Sequence, residues 1–322
     1  MIGRVRTTPV DPMPDTSTIE ISIVIPTYNR PDYLAAAVAS CIAQQGVSVP
    51  FEIVVVDNNP EGSARPGVEV MARNSAVPIR YVGERRPGIS HARNSGVAAS
   101  AARYVVFLDD DEEADPGWLA AHYSTIQQFG ADVVFGAVHA QFPADAGTVD
   151  PYPRNKYSRD AGVPTGAVPP RLPGIGNTML DRARCFTDPE PFDPALGLTG
   201  GEDTVFLRQL LRRGRKMVWC GEAGVRENVP ADRLAPGFLL RRAFQRGQIT
   251  TFACARVTPP HWAQAWRMML AGSAQVVVFG PAALALRILK DPRWVAVMDR
   301  AALGLGKVLW HPRWQRRLYR KA

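Results

Sequence analysis

The run Tyr104-Val105-Val106-Phe107-Leu108-Asp109-Asp110-Asp111-Glu112 joins five apolar or β-branched residues to four carboxylates without a break. Packing gives no reason to crowd charges that repel one another at the end of a core strand. A divalent cation does, because hard oxygen ligands suit magnesium and manganese and a phosphate can complete the shell. A solvated acidic turn that merely ends a strand is the plain alternative. A second acidic pair lies in Thr199-Gly200-Gly201-Glu202-Asp203, where a helix opens with Phe206, Leu207, Leu210 and Leu211 as its apolar face and Gly214 as its stop.

The elements that must position these groups alternate along the chain. Ile21–Ile25 is a short apolar strand broken by Pro26-Thr27-Tyr28-Asn29-Arg30, and Leu34, Val38, Cys41 and Ile42 follow at helical spacing up to Gly46. A second strand, Ile53–Val56, runs into Asp57-Asn58-Asn59-Pro60. A third is expected at Ile79–Val82, then a helix over roughly 90–101. Strands alternating with helices predict an α/β fold with a mainly parallel, Rossmann-like sheet flanked by helices. The ligand crevice of such a sheet lies beyond the carboxyl ends of its strands, so Thr27, Asp57 and Asp109–Asp111 gather on one rim. No glycine fingerprint follows the first strand, and there is no phosphate-binding GxxxxGK[ST] loop or GxSxG elbow. Gly174-Ile175-Gly176 lacks the third glycine. From about residue 137 to 175 the pattern dissolves, which reads as a substrate-facing excursion or a linker. Order resumes at Asn177-Thr178-Met179-Leu180.

With 46% hydrophobic and 21% charged residues the 322-residue chain is globular. Cys41, Cys185, Cys220 and Cys254 are scattered and read as buried thiols of a reducing compartment, and the five histidines lack metal-ligand spacing. Residues 1–18, with Pro9, Pro12 and Pro14, read as a disordered tail without the apolar centre of a signal peptide, so a cytoplasmic location is expected. Residues 287–322 hold ten Lys or Arg against Asp291 and Asp299, a net of +8 that equals the charge of the whole chain.

Several of these segments resemble the family 2 glycosyltransferases of the GT-A fold, inverting enzymes that use nucleotide-diphosphate sugars. Ile23-Val24-Ile25-Pro26-Thr27-Tyr28-Asn29-Arg30 is similar to their opening strand and nucleotide loop, and Glu52-Ile53-Val54-Val55-Val56-Asp57 to their second strand with its base-binding aspartate. Gly88-Ile89-Ser90-His91-Ala92-Arg93-Asn94-Ser95-Gly96 resembles their Ala-Arg-Asn helix. Phe107-Leu108-Asp109-Asp110-Asp111 matches their DxD metal motif, and Gly201-Glu202-Asp203 their ED motif. The resemblance covers residues 19–235 and departs at Glu227-Asn228-Val229-Pro230, where many relatives carry a histidine metal ligand.

The resemblance implies a nucleotide-sugar-binding half (19–135) and an acceptor-binding and catalytic half (136–235); the composition beyond it reads as a helical basic segment (236–322). It implies a Mn2+ or Mg2+ ion held chiefly by Asp111, with Asp109 assisting and Glu227 as a further oxygen ligand. Pro26, Thr27, Tyr28, Asn29, Arg30, Asp57, Asp109 and Asp110 would surround the nucleotide. Arg93 would reach the phosphates or pair with the aspartates. Asn177, Gly201 and Glu202 would lie near the sugars, and Asp203 would be the general base, with an N-cap role as its alternative. Trp219 and Tyr28 could stack on sugar or base, or Trp219 belong to the core. The donor expected is a UDP-sugar and the acceptor a glycan or lipid-linked chain of a cell-surface polysaccharide. A sugar nucleotidyltransferase and a non-catalytic sugar-nucleotide- or glycan-binding protein are the rival readings.

From Met268 to Leu286 nineteen residues carry no charge, and six of the seven tryptophans lie beyond residue 200. With basic flanks this predicts association with an anionic membrane surface on the cytoplasmic face of the inner or plasma membrane. A packed helical cap and a true membrane span are the alternatives. No nucleic-acid-binding motif accompanies the basic end.

Overall fold

The computed structural model describes residues 19–143 and 151–314. The tail 1–18 and the last basic residues, 315–322, lie outside the described residues. Strand β1 (Ile21–Thr27) is buried at every position, as a strand covered on both faces must be. It pairs in parallel with β2 (Phe51–Asp57) and β4 (Tyr104–Phe107), and β2 pairs in parallel with β3 (Ile79–Gly83). Beyond β4 the directions mix. β7 (Thr178–Asp181) runs antiparallel to both β4 and β6 (Val133–Gln141), while β8 (Met217–Asn228) is parallel to β6. The short β5 (Glu112–Ala114) is antiparallel to β8. The order across one eight-stranded sheet is β3-β2-β1-β4-β7-β6-β8-β5. The expected α/β architecture is present, and both halves of the chain share this sheet through the β4–β7 pair.

The strands' period of two sends Ile21, Ile23 and Ile25 to one face and Val24 to the other. On the first face pack α1 (Pro31–Ile42), α2 (Arg65–Asn74) and α4 (Trp118–Phe129); on the second, α3 (Ile89–Ala99) and α7 (Glu202–Arg212). α3 lies unusually close to the sheet: a Cβ on Gly96 would stand 2.4 Å from Val24 Cγ1. Trp219 is in the core at 1% exposure, so the stacking role is excluded for it.

Two expectations change. The strand β6 does not dissolve at residue 137 but continues to Gln141 beside β8, with a register break between Gly136 and Val138. Gly136 and the polar His139 and Gln141 hide its alternation in the sequence. The same stretch also holds α5 (Pro151–Tyr157). The second change concerns Asn177. It sits at φ 54° and only 1% exposed. Its Nδ2 donates to Ala137 O (2.8 Å) and Ala223 O (2.9 Å), and its Oδ1 accepts from Trp118 Nε1 (2.6 Å) and lies 2.8 Å from His122 Nε2. A side chain fully engaged between α4, β6 and β8 has nothing left to offer a sugar, so Asn177 is a pillar of the scaffold.

The C-terminal segment is helical, as expected: α8 (Pro236–Arg256), α9 (Trp262–Ile288) and α10 (Trp294–Val308). α10 packs on both α8 and α9. A Cβ on Gly304 would lie 2.5 Å from Gly272 O of α9, so paired glycines set that spacing. α9 runs unbroken through Pro281 for 27 residues, about 40 Å at 1.5 Å per residue.

The pillar titrates. Burial pushes the His122 imidazole down to about 4, against the bond to Asn177, which raises it. The unfolded histidine binds a proton near pH 6.5 and the folded one does not, so stability falls as pH drops from about 6.5 to about 4. Complete protonation costs about 3 kcal/mol. In denaturant titrations, His122→Gln is expected to flatten that part of the acid limb.

Candidate active site

The carboxyl ends of β1 and β4 meet where the sequence predicted a rim. Thr27, the last residue of β1, donates its hydroxyl to Asp110 Oδ2 at 2.8 Å. Arg30, three residues on, donates through Nη1 to Asp110 Oδ1 and Asp111 Oδ2, both at 3.1 Å. Tyr28 and Asn29 between them are exposed, and Asn29 takes a left-handed φ of 55° that asparagine tolerates. Asp110 is thereby clamped and 7% exposed. Burial pushes its carboxyl up to about 6; Arg30 and the Thr27 hydroxyl oppose this, while Asp111 and Asp109 add to it.

Arg93 on α3 bridges two acidic motifs, donating to Glu202 Oε1 and standing 3.5 Å from Asp109 Oδ1. In this geometry it pairs with the acidic groups. Glu202, at 4% exposure, is raised above the ordinary carboxylate range by burial, which outweighs Arg93. Asp203 differs from it. Half-buried, it is the second residue of α7 and not the N-cap, which is Gly201 at φ 96°. Its Oδ1 accepts from Thr204 N at 2.6 Å. Its Oδ2 faces Gly174, 3.4 Å from where a Cβ would be, and Arg159 Nη1 faces the same spot. Gly176 likewise makes room for Asp109, whose Oδ2 lies 2.6 Å from the missing Cβ. The Gly-x-Gly that carries no dinucleotide thus threads between the two acidic motifs. Gly201, expected to admit a substrate, instead admits Ile249 of α8, 3.0 Å from its would-be Cβ.

The last residues of β8 complete the rim. Glu227 stands opposite Glu112 in the β5–β8 pair. Arg159 Nη2 lies 2.8 Å from Glu112 Oε1 and 3.6 Å from Glu227 Oε2. Arg233 Nη1 lies 3.3 Å from Asp111 Oδ2 and 3.7 Å from Glu227 Oε1. Sequence reasoning missed both arginines, because Arg159 follows α5 outside any named strand or helix and Arg233 lies in a single 3-10 turn (Ala231–Leu234), and neither segment shows a periodicity. Burial raises Glu227 and, further, Glu112, with their acidic neighbours adding to it. Asp57 is fully buried and accepts from Asn59 N (2.9 Å), Ala64 N (2.8 Å) and Tyr81 OH (3.2 Å), so it orders the loop that follows β2.

Among the described residues no three acidic, histidine or cysteine side chains converge as a finished metal cage. The donor chemistry nevertheless fits a hard cation. Asp109, Asp110, Asp111, Glu112, Glu202, Asp203 and Glu227 outnumber Arg30, Arg93, Arg159 and Arg233 around one rim, and buried oxygen ligands in excess of positive charge are what Mg2+ or Mn2+ takes up.

The family described as Glycosyl transferase family 2 matches residues 22–174. The succinoglycan biosynthesis protein ExoM of Rhizobium meliloti (strain 1021) is 33% identical over 264 residues, 80% of this chain and 82% of ExoM. The chain belongs to glycosyl transferase family 2. Other family members align over shorter stretches: the chondroitin synthase of Escherichia coli is 33% identical over 106 residues, 32% of this chain and 15% of the synthase. The crystal structure of S. aureus TarS 1–349 in complex with UDP superposes with a TM-score of 0.53 over 90% of both chains at 14% identity, which is agreement of fold. The protein is a glycosyltransferase with relatives in polysaccharide biosynthesis.

The Thr27–Asp110 bond gives a test. Thr27→Val leaves a buried carboxylate oxygen without its donor, which costs about 1–3 kcal/mol. The cost should be larger at pH 8, where Asp110 is ionised, than at pH 5, where a group of pKa about 6 is mostly neutral. Urea unfolding at the two pH values measures the difference.

Proposed function

We propose that this glycosyltransferase is an inverting, cation-dependent enzyme that moves a sugar from a UDP-sugar to a hydroxyl of a glycan or lipid-linked acceptor. The observation that carries the reading is the contrast between the two residues of the acidic pair. Glu202 is buried and tied to Arg93, whereas Asp203 is half-buried and turns one oxygen toward the gap at Gly174. A base must be free to take a proton, and only Asp203 is placed so. In the reaction the acceptor oxygen forms a bond to the anomeric carbon and its proton passes to Asp203 Oδ2. The bond from that carbon to the diphosphate oxygen breaks, and UDP departs with its electron pair. Attack from the side opposite the leaving group inverts the centre.

The diphosphate belongs on the arginine side. A divalent cation held by Asp111 and Glu227, with Asp109 on its flank, would offset charge on the leaving group. Arg30, Arg159 and Arg233 keep those carboxylates in place and present guanidinium groups to phosphate oxygens. The exposed Tyr28 ring is available to the base, in a loop whose flanking residues Thr27 and Arg30 are both tied to Asp110. UDP in the TarS complex and the succinoglycan role in ExoM's name support the donor and acceptor classes.

A UDP-release assay with candidate UDP-sugars and manganese tests the chemistry. Asp203→Asn is expected to lower turnover by about a hundredfold or more with UDP affinity preserved, and Glu202→Gln to be the milder change. The reverse order would assign the base to Glu202, and no release with any UDP-sugar would remove the UDP reading.

The helical segment supports work at a membrane surface. Trp262, Trp266, Leu270, Val277, Leu284 and Ile288 of α9 are exposed, each by more than half. At 100° per residue they fall within about 80° of arc, one apolar stripe along the helix. A separate flank about 100–120° away, at Ala265, Gly272 and Ala283, is buried. A stripe of this size is rarely left bare to water, and the neighbouring basic residues suit anionic lipid. The full-length protein should float with phosphatidylglycerol vesicles, and the triple variant Trp266→Glu, Leu270→Glu, Val277→Glu should not. Salt should weaken the attachment only partly, since apolar contact is not screened.

A further inference from the structure

One buried ion pair joins the helical segment to the catalytic rim. Asp299 is the one acidic residue of α10 and is 7% exposed. It pairs with Lys156 of α5 and, at 3.2 Å, with Arg246 Nη2 of α8. The Lys156 ammonium, on a side chain 8% exposed, also donates to Leu239 O of α8 at 3.1 Å and to Tyr152 OH at 3.2 Å. Lys156 therefore fastens α5 to α8 and α10 together.

The residues that follow Lys156 carry the fastening to the site. Tyr157 donates its hydroxyl to Arg233 O at 2.9 Å, and Arg233 is the guanidinium between Asp111 and Glu227. Arg159 exchanges backbone hydrogen bonds with Val138 within β6, 2.8 and 3.0 Å, and its side chain holds Glu112 and Glu227. Both arginines that hold Glu227 thus hang on a short segment that Asp299 pins. We infer that Asp299 and Lys156 are positioning residues of the transferase: their pair sets the placement of Arg159 and Arg233, and through them the geometry of Asp111 and Glu227. The consequence for donor binding rests on the function proposed above; the physical linkage does not.

The pair is separable from bulk stability. Removing one partner leaves a charge buried and unpaired, whereas removing both is far less disruptive. The test compares Asp299→Asn, the double variant Lys156→Met with Asp299→Asn, the conservative Asp299→Glu, and Asp291→Ala as a control on a half-buried acid of the same segment that pairs with its near neighbour Arg293. Amide hydrogen exchange of the full chain is the first readout. Exchange over residues 155–160 and 228–235 should quicken at least about fivefold in Asp299→Asn and in the double variant, even where the latter keeps wild-type melting. Asp299→Glu should restore most of the protection, and Asp291→Ala should change nothing there. Wild-type exchange at those residues in the double variant, or quickening confined to α8–α10, would overturn the inference.

The second readout is calorimetric affinity for UDP with manganese. It should fall at least about fivefold in the double variant, while affinity for uridine, which lacks phosphate, stays unchanged. Absence of UDP binding in the wild type would count against the UDP reading alone, because the exchange data judge the linkage independently. Equal loss of UDP and uridine binding would mean a general collapse of the site and would also overturn the inference.

Discussion

The crowding of buried carboxylates is the constraint around which the acidic rim is organised. Asp109, Asp110 and Asp111 follow one another after β4, and the β5–β8 pairing brings Glu112 opposite Glu227. Burial, with like charges this close adding to it, pushes carboxyl groups toward their neutral forms, and Asp110, Glu112 and Glu227 are all raised. Arginines from four separate stretches of chain answer the charge: Arg30 after β1, Arg93 on α3, Arg159 after α5 and Arg233 after β8. The rim is a meeting point of distant segments because one local segment could not supply so many guanidinium groups. Each arginine brings its element with it, so the electrostatics of the rim and the topology of the sheet are one arrangement.

The first half of the fold was legible because its signals are local. Ile21–Ile25 and Ile53–Val56 are uninterrupted β-forming runs, and each is followed within two residues by a residue that breaks the pattern. The acidic motifs announced themselves by composition. The β6 extension past Gly136 was not legible, since its register break and polar residues erase the alternation that marks a strand. Asn177 was misread for a related reason: a polar side chain in a motif region suggests a ligand, but whether its four hydrogen-bonding groups are already satisfied depends on Trp118, His122, Ala137 and Ala223, all distant in sequence. Arg159 and Arg233 lie in segments with no periodicity at all, so only tertiary structure could pair them with Glu112, Glu227 and Asp111.

The glycines divide into similar classes. Gly96, inside the Ala-Arg-Asn helix, is needed for α3 to reach Val24, and that approach helps bring Arg93 within range of Asp109. Gly201 looked like an opening for a substrate and proved to be a seat for Ile249. The start of α7, and with it Asp203, therefore leans on α8. The helical segment is thus part of the support of the acidic pair that opens α7.

The place of β7 in the sheet has a consequence for how the chain is made. Strands β1 to β4 are contiguous in space and early in sequence, so a nascent polypeptide can zip them together by short-range pairing. β6 is synthesised next but has no neighbour to join until β7, some forty residues later, bridges it to β4. β5, translated soon after β4, waits longer still, because its partner is β8. The acidic turn consequently emerges from the ribosome without the strand that will hold it. Glu227, and Arg233 just beyond it, arrive on the same late segment that gives β5 its pairing. The acidic cluster therefore reaches its final arrangement only when this late segment has been translated, although Arg30 and Arg93, two of its counter-charges, precede it in the chain.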